Sequence, residues 1–451
     1  MVIRYEDAVR SLSSLINFER SISAPDHSQF HIERMSLLMG FIGKKCLDIP
    51  TIHVAGTNGK GSVSSIISSI LSEEGYLTGL YTSPSLHKPT ERIRVAEEII
   101  SEDDFADIFF IILESIEKVH IDSKFGGISY FEALTAMAFL YFKKRNVDVQ
   151  IIEVGLGGRL DATNVVKPIV SVITPIGLDH IGTLGDSIKK IAIEKAGIIK
   201  KQVPVVVSPQ TPDAFEIISE ISRSKKCDII SVEEEYSWTR TSFDLLGQKF
   251  ILKSNNKEID LFTNNLASYQ MENIATAISV IDVIQSECLN VSDKSIKNGV
   301  KNFDWAGRLE ILQKEPNILI ADGSHNGHGM KKTLLSIKND FQFEEIITVI
   351  GVLRGHNLDE ILNQFIGIHS KFIAVNSREP RSLLSRYVFD TLKSKELSVI
   401  SFEKTVSEGI EAALKYSSKN SLILVTGSLS VAAEAIQHIK CVDYEIYPDI
   451  Q

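Results

Sequence analysis

The residues with chemistry to offer begin at His53-Val54-Ala55-Gly56-Thr57-Asn58-Gly59-Lys60-Gly61-Ser62. A short apolar run, Thr51 to Ala55, precedes them. After them Val63, Ile66, Ile67, Ile70 and Leu71 recur at helical spacing until Gly75. Strand, glycine loop and helix in that order make a phosphate-binding turn. Glycines let backbone amides approach a polyphosphate, and the helix N-terminus adds positive potential. Lys60 can reach the terminal phosphates, and the Ser62 hydroxyl can touch Mg²⁺. Thr57, Asn58, Gly59, Lys60, Gly61 and Ser62 are therefore candidate nucleotide contacts. The spacing departs from the common form, because only two residues separate Gly56 from Gly59 and Gly61 falls between the lysine and the serine.

Further candidates sit where strands end, the place where α/β sheets collect ligands. Glu153 closes the dense β-type run Asp148 to Val154, and a carboxylate buried there needs a partner or a metal. Ser83 ends the run Leu77 to Thr82 and either ligates a metal or begins a turn before Pro84. Leu178-Asp179-His180 follows the run Ile169 to Thr174, which makes His180 a candidate cation ligand. Ser129-Tyr130-Phe131-Glu132 opens a long apolar helix, with Ser129 and Glu132 spaced as a capping box. The glycine cluster at 155–158 does not meet the dinucleotide spacing, and no helix starts within it. Asp322-Gly323-Ser324-His325-Asn326 and Thr426-Gly427-Ser428-Leu429 also follow strands. Lys195 falls with Lys189 and Lys190 on the polar side of a helix expected over Ser187 to Lys200, and is unremarkable by pattern.

These residues need two α/β units to hold them. At 451 residues the chain exceeds the size at which one core keeps growing. Residues 1–50 read as one or two helices broken at Pro25-Asp26-His27, with no recognisable chemistry. Residues 203–262 supply outer strands and a helix, and Ser237 to Phe262 has hairpin character. A helix is expected over Met271 to Ile284, beginning near Asn273. The boundary is placed at Asp304-Trp305-Ala306-Gly307-Arg308, giving domains 1–303 and 304–451. From Ile318 strands and helices alternate again, which favours a second parallel sheet.

Composition narrows the partners. With 48 basic and 58 acidic side chains the net charge is −10, and no basic stripe suits nucleic acid. Cys46, Cys227, Cys288 and Cys441 show no paired spacing, which argues against zinc or disulfides and fits a cytoplasmic location. Met1 to Leu15 lacks the pattern of a signal peptide, and no run approaches the roughly 20 apolar residues of a membrane span.

Taken in order, the motifs resemble those of the folylpolyglutamate synthase and dihydrofolate synthase family of the Mur-ligase superfamily. They are VAGTNGKGS at 54–62, TSP at 82–84, ERI at 91–93, SYFE at 129–132, EVGLGGRLDATN at 153–164, LDH at 178–180, EKAGI at 194–198, GRLE at 307–310 and DGSHN at 322–326. The resemblance implies an ATP-binding Mur-ligase-type domain, a smaller Rossmann-like C-terminal domain, and catalysis between them. It implies ATP contacts at Asn58 to Gly61, Asn273, Arg308 and Asp322. It places one Mg²⁺ on Ser83 and Glu153 and a second on His180, with K⁺ as a further cation. Lys195 becomes carbamylated, and Lys60, Lys195, His180 and Arg308 carry the catalysis. Ser129, Tyr130, Phe131 and Glu132, with Leu160, Asp161 and Ala162, match segments that hold dihydropteroate in bifunctional members; His325 and Ser428 join them as substrate contacts. The implied reaction is ATP-dependent addition of L-glutamate to folate, and to dihydropteroate, through an acyl phosphate, by a monomer that engages neither nucleic acid nor membrane. The alternatives are a Mur-type ligase for a cell-wall nucleotide precursor and a non-catalytic ATP switch. Ser85, Gly327 and Arg354-Gly355-His356-Asn357 depart from the family pattern, the last in place of an Asp-Lys-Asp loop.

Overall fold

The computed structural model describes residues 5–19, 29–255, 257–287 and 289–444. The expected break at Pro25-Asp26-His27 and the cysteine at 288 lie outside them. The first sheet comprises β1 (Thr51–Ala55), β2 (Thr78–Tyr81), β3 (Ile93–Val95), β4 (Glu98–Ile99), β5 (Val149–Glu153), β6 (Val170–Ile173), β7 (Val205–Val207) and β8 (Ile229–Ser231). Their order is β4-β3-β2-β5-β1-β6-β7-β8. All neighbours run parallel except at the β3 and β4 edge, which is antiparallel. Every residue of β1, β5, β6 and β7 is buried, as a sheet covered on both faces requires. Helices Lys60–Glu74 and Gln270–Glu287 pack Ile66, Ile70, Ile274 and Ile278 on one face against Ile52, Val54, Ile151 and Val172. On the other face, helices Glu102–Asp122 and Tyr130–Arg145 cover Tyr81 and Ile152, and Ile188–Ala196 covers Ile173 and Val205.

Three further strands, β9 (Tyr236–Asp244), β10 (Gly247–Ser254) and β11 (Glu258–Thr263), form an antiparallel sheet. The expected hairpin is thus extended by a third strand, whose Ile259 and Leu261 complete the same core. The last sheet contains β12 (Glu310–Gln313), β13 (Leu319–Ala321), β14 (Glu345–Ile350), β15 (Ser370–Ala374), β16 (Ser398–Phe402) and β17 (Ser421–Thr426) in the order β12-β13-β17-β14-β15-β16. It is parallel save for β12, an antiparallel edge strand that the sequence pattern did not announce. Half-buried residues throughout β12 gave no alternation to read.

Two helix bounds also differ from expectation. The helix expected over 187–200 ends at Ala196, and i→i+3 bonds from Ile198 and Ile199 carry the chain onward. The helix expected to begin near Asn273 begins at Gln270, which places Asn273 in its first turn. Among the described residues no helix is long and apolar enough to cross a membrane, and Cys46, Cys227 and Cys441 are free thiols.

Candidate active site

The loop after β1 lies where the order of the first sheet reverses, since β5 and β6 flank β1 on opposite sides. This is the ligand position of a doubly wound sheet. Thr57 and Asn58 donate their backbone amides to the Pro175 carbonyl at 3.0 and 3.2 Å, which pins the loop to the end of β6. Gly61 is required by packing, because a Cβ there would lie 2.7 Å from Cζ2 of Trp305. Lys60 Nζ reaches the Thr57 carbonyl at 3.4 Å and lies 3.9 Å from Glu153 Oε1. Ser62 Oγ accepts from Gln270 Nε2 at 3.3 Å, and Gln270 in turn accepts from Asn273 Nδ2 at 2.8 Å.

Glu153 ends β5 in contact with this loop. Burial pushes its carboxyl pKa up, and Lys60 and the Ser83 amide, which donates at 3.1 Å, oppose that rise. His180 adopts the left-handed backbone, with φ of 48°, uncommon outside glycine and often found at functional positions. Burial pushes its imidazole pKa down to about 4, so the ring is neutral with a free lone pair at pH 7.

Lys195 is where pattern and structure part. The side chain expected on a solvated face is 5 % exposed, and its Nζ donates to the Gly56 carbonyl at 2.7 Å. The glycine cluster packs on the end of this helix, where a Cβ at Gly158 would lie 2.8 Å from the carbonyls of Glu194 and Lys195. Only a bare backbone lets the 155–161 loop sit on that turn. Burial, with Lys60 nearby, pushes the Lys195 pKa down to about 7.

The second domain closes over these groups. Asn326 Nδ2 donates to Asn58 Oδ1 at 3.1 Å, and Asn58 Nδ2 lies 3.0 Å from His328 Nδ1. Leu309, at φ of 49°, turns the chain beside Arg308, and its amide donates to Asp322 Oδ2 at 2.9 Å. Asp322 is fully buried and also accepts from Tyr269, Ser324 and Thr333.

A single cavity of about 520 Å³ collects most of the expected residues. Its wall includes Thr57 to Ser62, Ser83, Glu153, His180, Lys195, Asn273, Arg308, His325 and Ser428, and also Ser129, Phe131, Glu132, Leu160, Asp161 and Ala162. Asp322 and Tyr130 stand behind the wall. Asp322 holds the Arg308 turn, and Tyr130 packs under the Arg92 guanidinium at 5.5 Å. Ser129 and Glu132 do make the capping box, and Glu132 also takes a hydrogen bond from buried Arg34 Nε at 3.0 Å. Asp161 accepts from the Leu156 and Thr163 amides, so it braces its own loop.

Sequence reasoning passed over several wall residues. Phe18, Glu19, Phe30, His31 and Arg34 come from the first fifty positions, where no chemistry was legible. Asp179, Tyr269 and His356 also line the cavity. Arg34 among apolar neighbours was the one available signal.

Comparison with known proteins decides the family. The model of the Mur ligase middle domain matches residues 54–281, and that of the Mur ligase glutamate ligase domain matches 307–429. The dihydrofolate synthase/folylpolyglutamate synthase of Bacillus subtilis is 32% identical over 90% of this chain and 94% of its own length. The chain belongs to the folylpolyglutamate synthase/dihydrofolate synthase family. It is an ATP-dependent ligase. Among solved structures, Mycobacterium tuberculosis folylpolyglutamate synthase complexed with ADP superposes with a TM-score of 0.88 at 27% identity, covering 98% of the ligase and 100% of that chain. A folylpolyglutamate synthase–AMPPCP–folate complex gives a TM-score of 0.79 at 27% identity, covering 96% and 99%. The two-domain α/β architecture of the ligase is that of these enzymes.

Proposed function

We propose that the ligase adds L-glutamate to folate, and to dihydropteroate, by activating a substrate carboxylate with ATP. One observation carries this reading. The loop with Lys60 and the side chains of Phe18, Phe30, Phe131 and Leu160 line the same cavity, which offers a phosphate-binding loop and an aromatic wall together. A carboxylate is a poor acyl donor. Its oxygen attacks the γ-phosphorus of ATP, ADP leaves, and the glutamate amine then displaces inorganic phosphate from the acyl carbon. Negative charge gathers on the phosphoryl oxygens in the first step, and stabilising it is most of the catalytic work. Lys60 and Arg308 are the cations placed for that. Asn273, in the first turn of its helix, and Asn58 are placed to receive the nucleotide, with Asp322 acting through Arg308. His325 and Ser428 close the substrate side from the second domain.

Ser83, Glu153 and His180 fit Mg²⁺ by their chemistry. A buried carboxylate with one backbone donor and a neutral imidazole both have lone pairs to give. When bound, Mg²⁺ neutralises phosphate charge. No residue is assigned to K⁺. Lys195 is suited to carbamylation, because at a pKa of about 7 roughly half of it is neutral at pH 7, against roughly one part in 3,000 at 10.5. The neutral amine attacks CO₂, an N–C bond forms, a proton leaves to water, and the product is an anion. That anion would balance Lys60 and supply an oxygen donor beside the metal ligands. The free cysteines fit a reducing cytoplasm, and the ligase acts as a monomer.

The reading is tested by phosphate release from ATP with dihydropteroate, tetrahydrofolate and glutamate omitted in turn. Release that requires both glutamate and a pteroyl acid is expected. Release that depends on neither, or only on a cell-wall nucleotide, would overturn it.

A further inference from the structure

Asp179, His325 and His356 form a cluster to which the ligase reading assigns no metal, although it places His325 on the substrate side. Asp179 follows β6 of the first sheet, whereas His325 and His356 follow β13 and β14 of the last, so the three meet across the cleft. One donor atom from each lies within 4.8 Å of the others. His325 Nε2 is 3.5 Å from Asp179 Oδ2, and His356 Nδ1 is 3.5 Å from Asp179 Oδ1. These separations are long for an N–H···O bond. Each runs to a different oxygen of the carboxylate, at a separation near the edge of about 3.4 Å between donors that share a metal with bonds of about 2.1 Å.

The polar atoms here lack satisfaction in a telling way. The His356 side chain is only 9 % exposed, and among the described residues its Nδ1 is enclosed without a hydrogen-bond partner. His325 Nδ1 lies 2.9 Å from the Gly323 carbonyl, which can only accept, so that nitrogen carries the proton. Nε2 is then the ring nitrogen that faces the Asp179 carboxylate, 3.5 Å from Oδ2, where a shared cation would be held by both. An imidazole that donates its other N–H to a carbonyl is also the usual orientation of a metal-bound histidine.

We propose that Asp179, His325 and His356 form a transition-metal site that joins the two domains of the ligase. Two imidazoles and one carboxylate select Zn²⁺ or Co²⁺ over Mg²⁺. All three residues line the cavity, so a fourth coordination position opens toward it. His356 stands at one of the positions where the chain departs from the family pattern, which makes the site a property of this chain. It adjoins the Mg²⁺ set on Ser83, Glu153 and His180, since His180 follows Asp179 and its ring lies 5.9 Å from that of His356, but it shares no residue with that set, so its failure would leave the ligase reading standing.

The test titrates the metal-free full-length protein with Co²⁺ and Zn²⁺ under excess Mg²⁺, following the visible absorption of bound Co²⁺ and the heat of Zn²⁺ binding. One equivalent is expected to bind. His356→Ala and His325→Gln should each weaken it more than about 100-fold, while Glu153→Gln and His328→Asn should bind as the parent does. Circular dichroism checks that each variant is folded, and the more exposed His325 gives the second route if His356→Ala is not. No binding by the parent, or equal binding by the parent and both cluster variants, would overturn the proposal, as would loss of the site in Glu153→Gln.

Discussion

Replacing Lys195 with methionine is expected to stop turnover and yet strengthen the fold. Burial first, and Lys60 second, push the amine from 10.5 down to about 7. That gap of about 3.5 in pKa, at about 1.4 kcal/mol for each tenfold step, makes the buried ammonium up to about 5 kcal/mol worse than the free amine. The sign follows from proton binding. Above about pH 10.5 the amine is neutral in both states. Between about 7 and 10.5 the unfolded chain holds a proton that the folded chain lacks, so stability falls as the pH drops. Below about 7 that loss is complete. Methionine never binds the proton, but it abandons the Gly56 carbonyl now held at 2.7 Å, which costs about 1 to 3 kcal/mol. The variant should therefore be about 2 to 4 kcal/mol more stable at pH 6, with the difference near zero or reversed by about pH 9.5. Urea unfolding at both pH values, in CO₂-free buffer so that carbamylation does not remove the ammonium, measures this. Phosphate release should fall by more than about 10³ in the same variant, and in Lys195→Ala, which leaves room at the site, short carboxylic acids should restore a measurable fraction. A variant less stable than its parent at pH 6, or a difference that does not change with pH, would refute the argument.

Lys60→Ala should lower the rate more than about 10³-fold with the circular dichroism spectrum unchanged; a variant retaining a tenth of the parent rate would rule out the phosphate-loop assignment. Arg308→Lys should lose at least about tenfold in kcat/KM for ATP, because an ammonium cannot make the two-pronged contact of a guanidinium, and near-parent steady-state kinetics would return Arg308 to a structural role. Asp322→Asn leaves either the Leu309 or the Ser324 amide without an acceptor, so thermal unfolding should show about 1 to 3 kcal/mol of destabilisation with the KM for ATP raised by loss of Arg308 placement. His180, pushed down to about 4 by burial, is neutral from pH 5 upward. Mg²⁺ affinity attributable to it should be flat between pH 5.5 and 7.5, where an ordinary histidine near 6.5 would bend the curve, and a pH-dependent calorimetric titration distinguishes the two.

The strand, glycine loop and helix at 51–74 were legible in the chain because everything they need is local: an apolar strand, close glycines, a lysine and a helical period within a few turns. The strand-end positions of Glu153 and His180 were legible for the same reason, and so was the Ser129–Glu132 cap, whose partners are three residues apart. Lys195 was not, because the helical period places it among lysines. Its amine meets the Gly56 carbonyl, 139 residues earlier in the sequence. The place of Arg34 in the wall depends on Glu132 and the Phe125 carbonyl, about a hundred positions away. Asp179, His325 and His356 carry no mutual spacing, since strands of two different sheets bring them to one point. Sequence therefore determined most of the elements, the strand-loop-helix frame of the 56–62 loop and the family, which rest on short-range periodicity and ordered motifs. Only the tertiary structure decided which charges are buried, and so which pKa values move and which lone pairs face one another. Burial is a property of the surroundings of a residue, and those surroundings come from chain segments that local pattern does not connect.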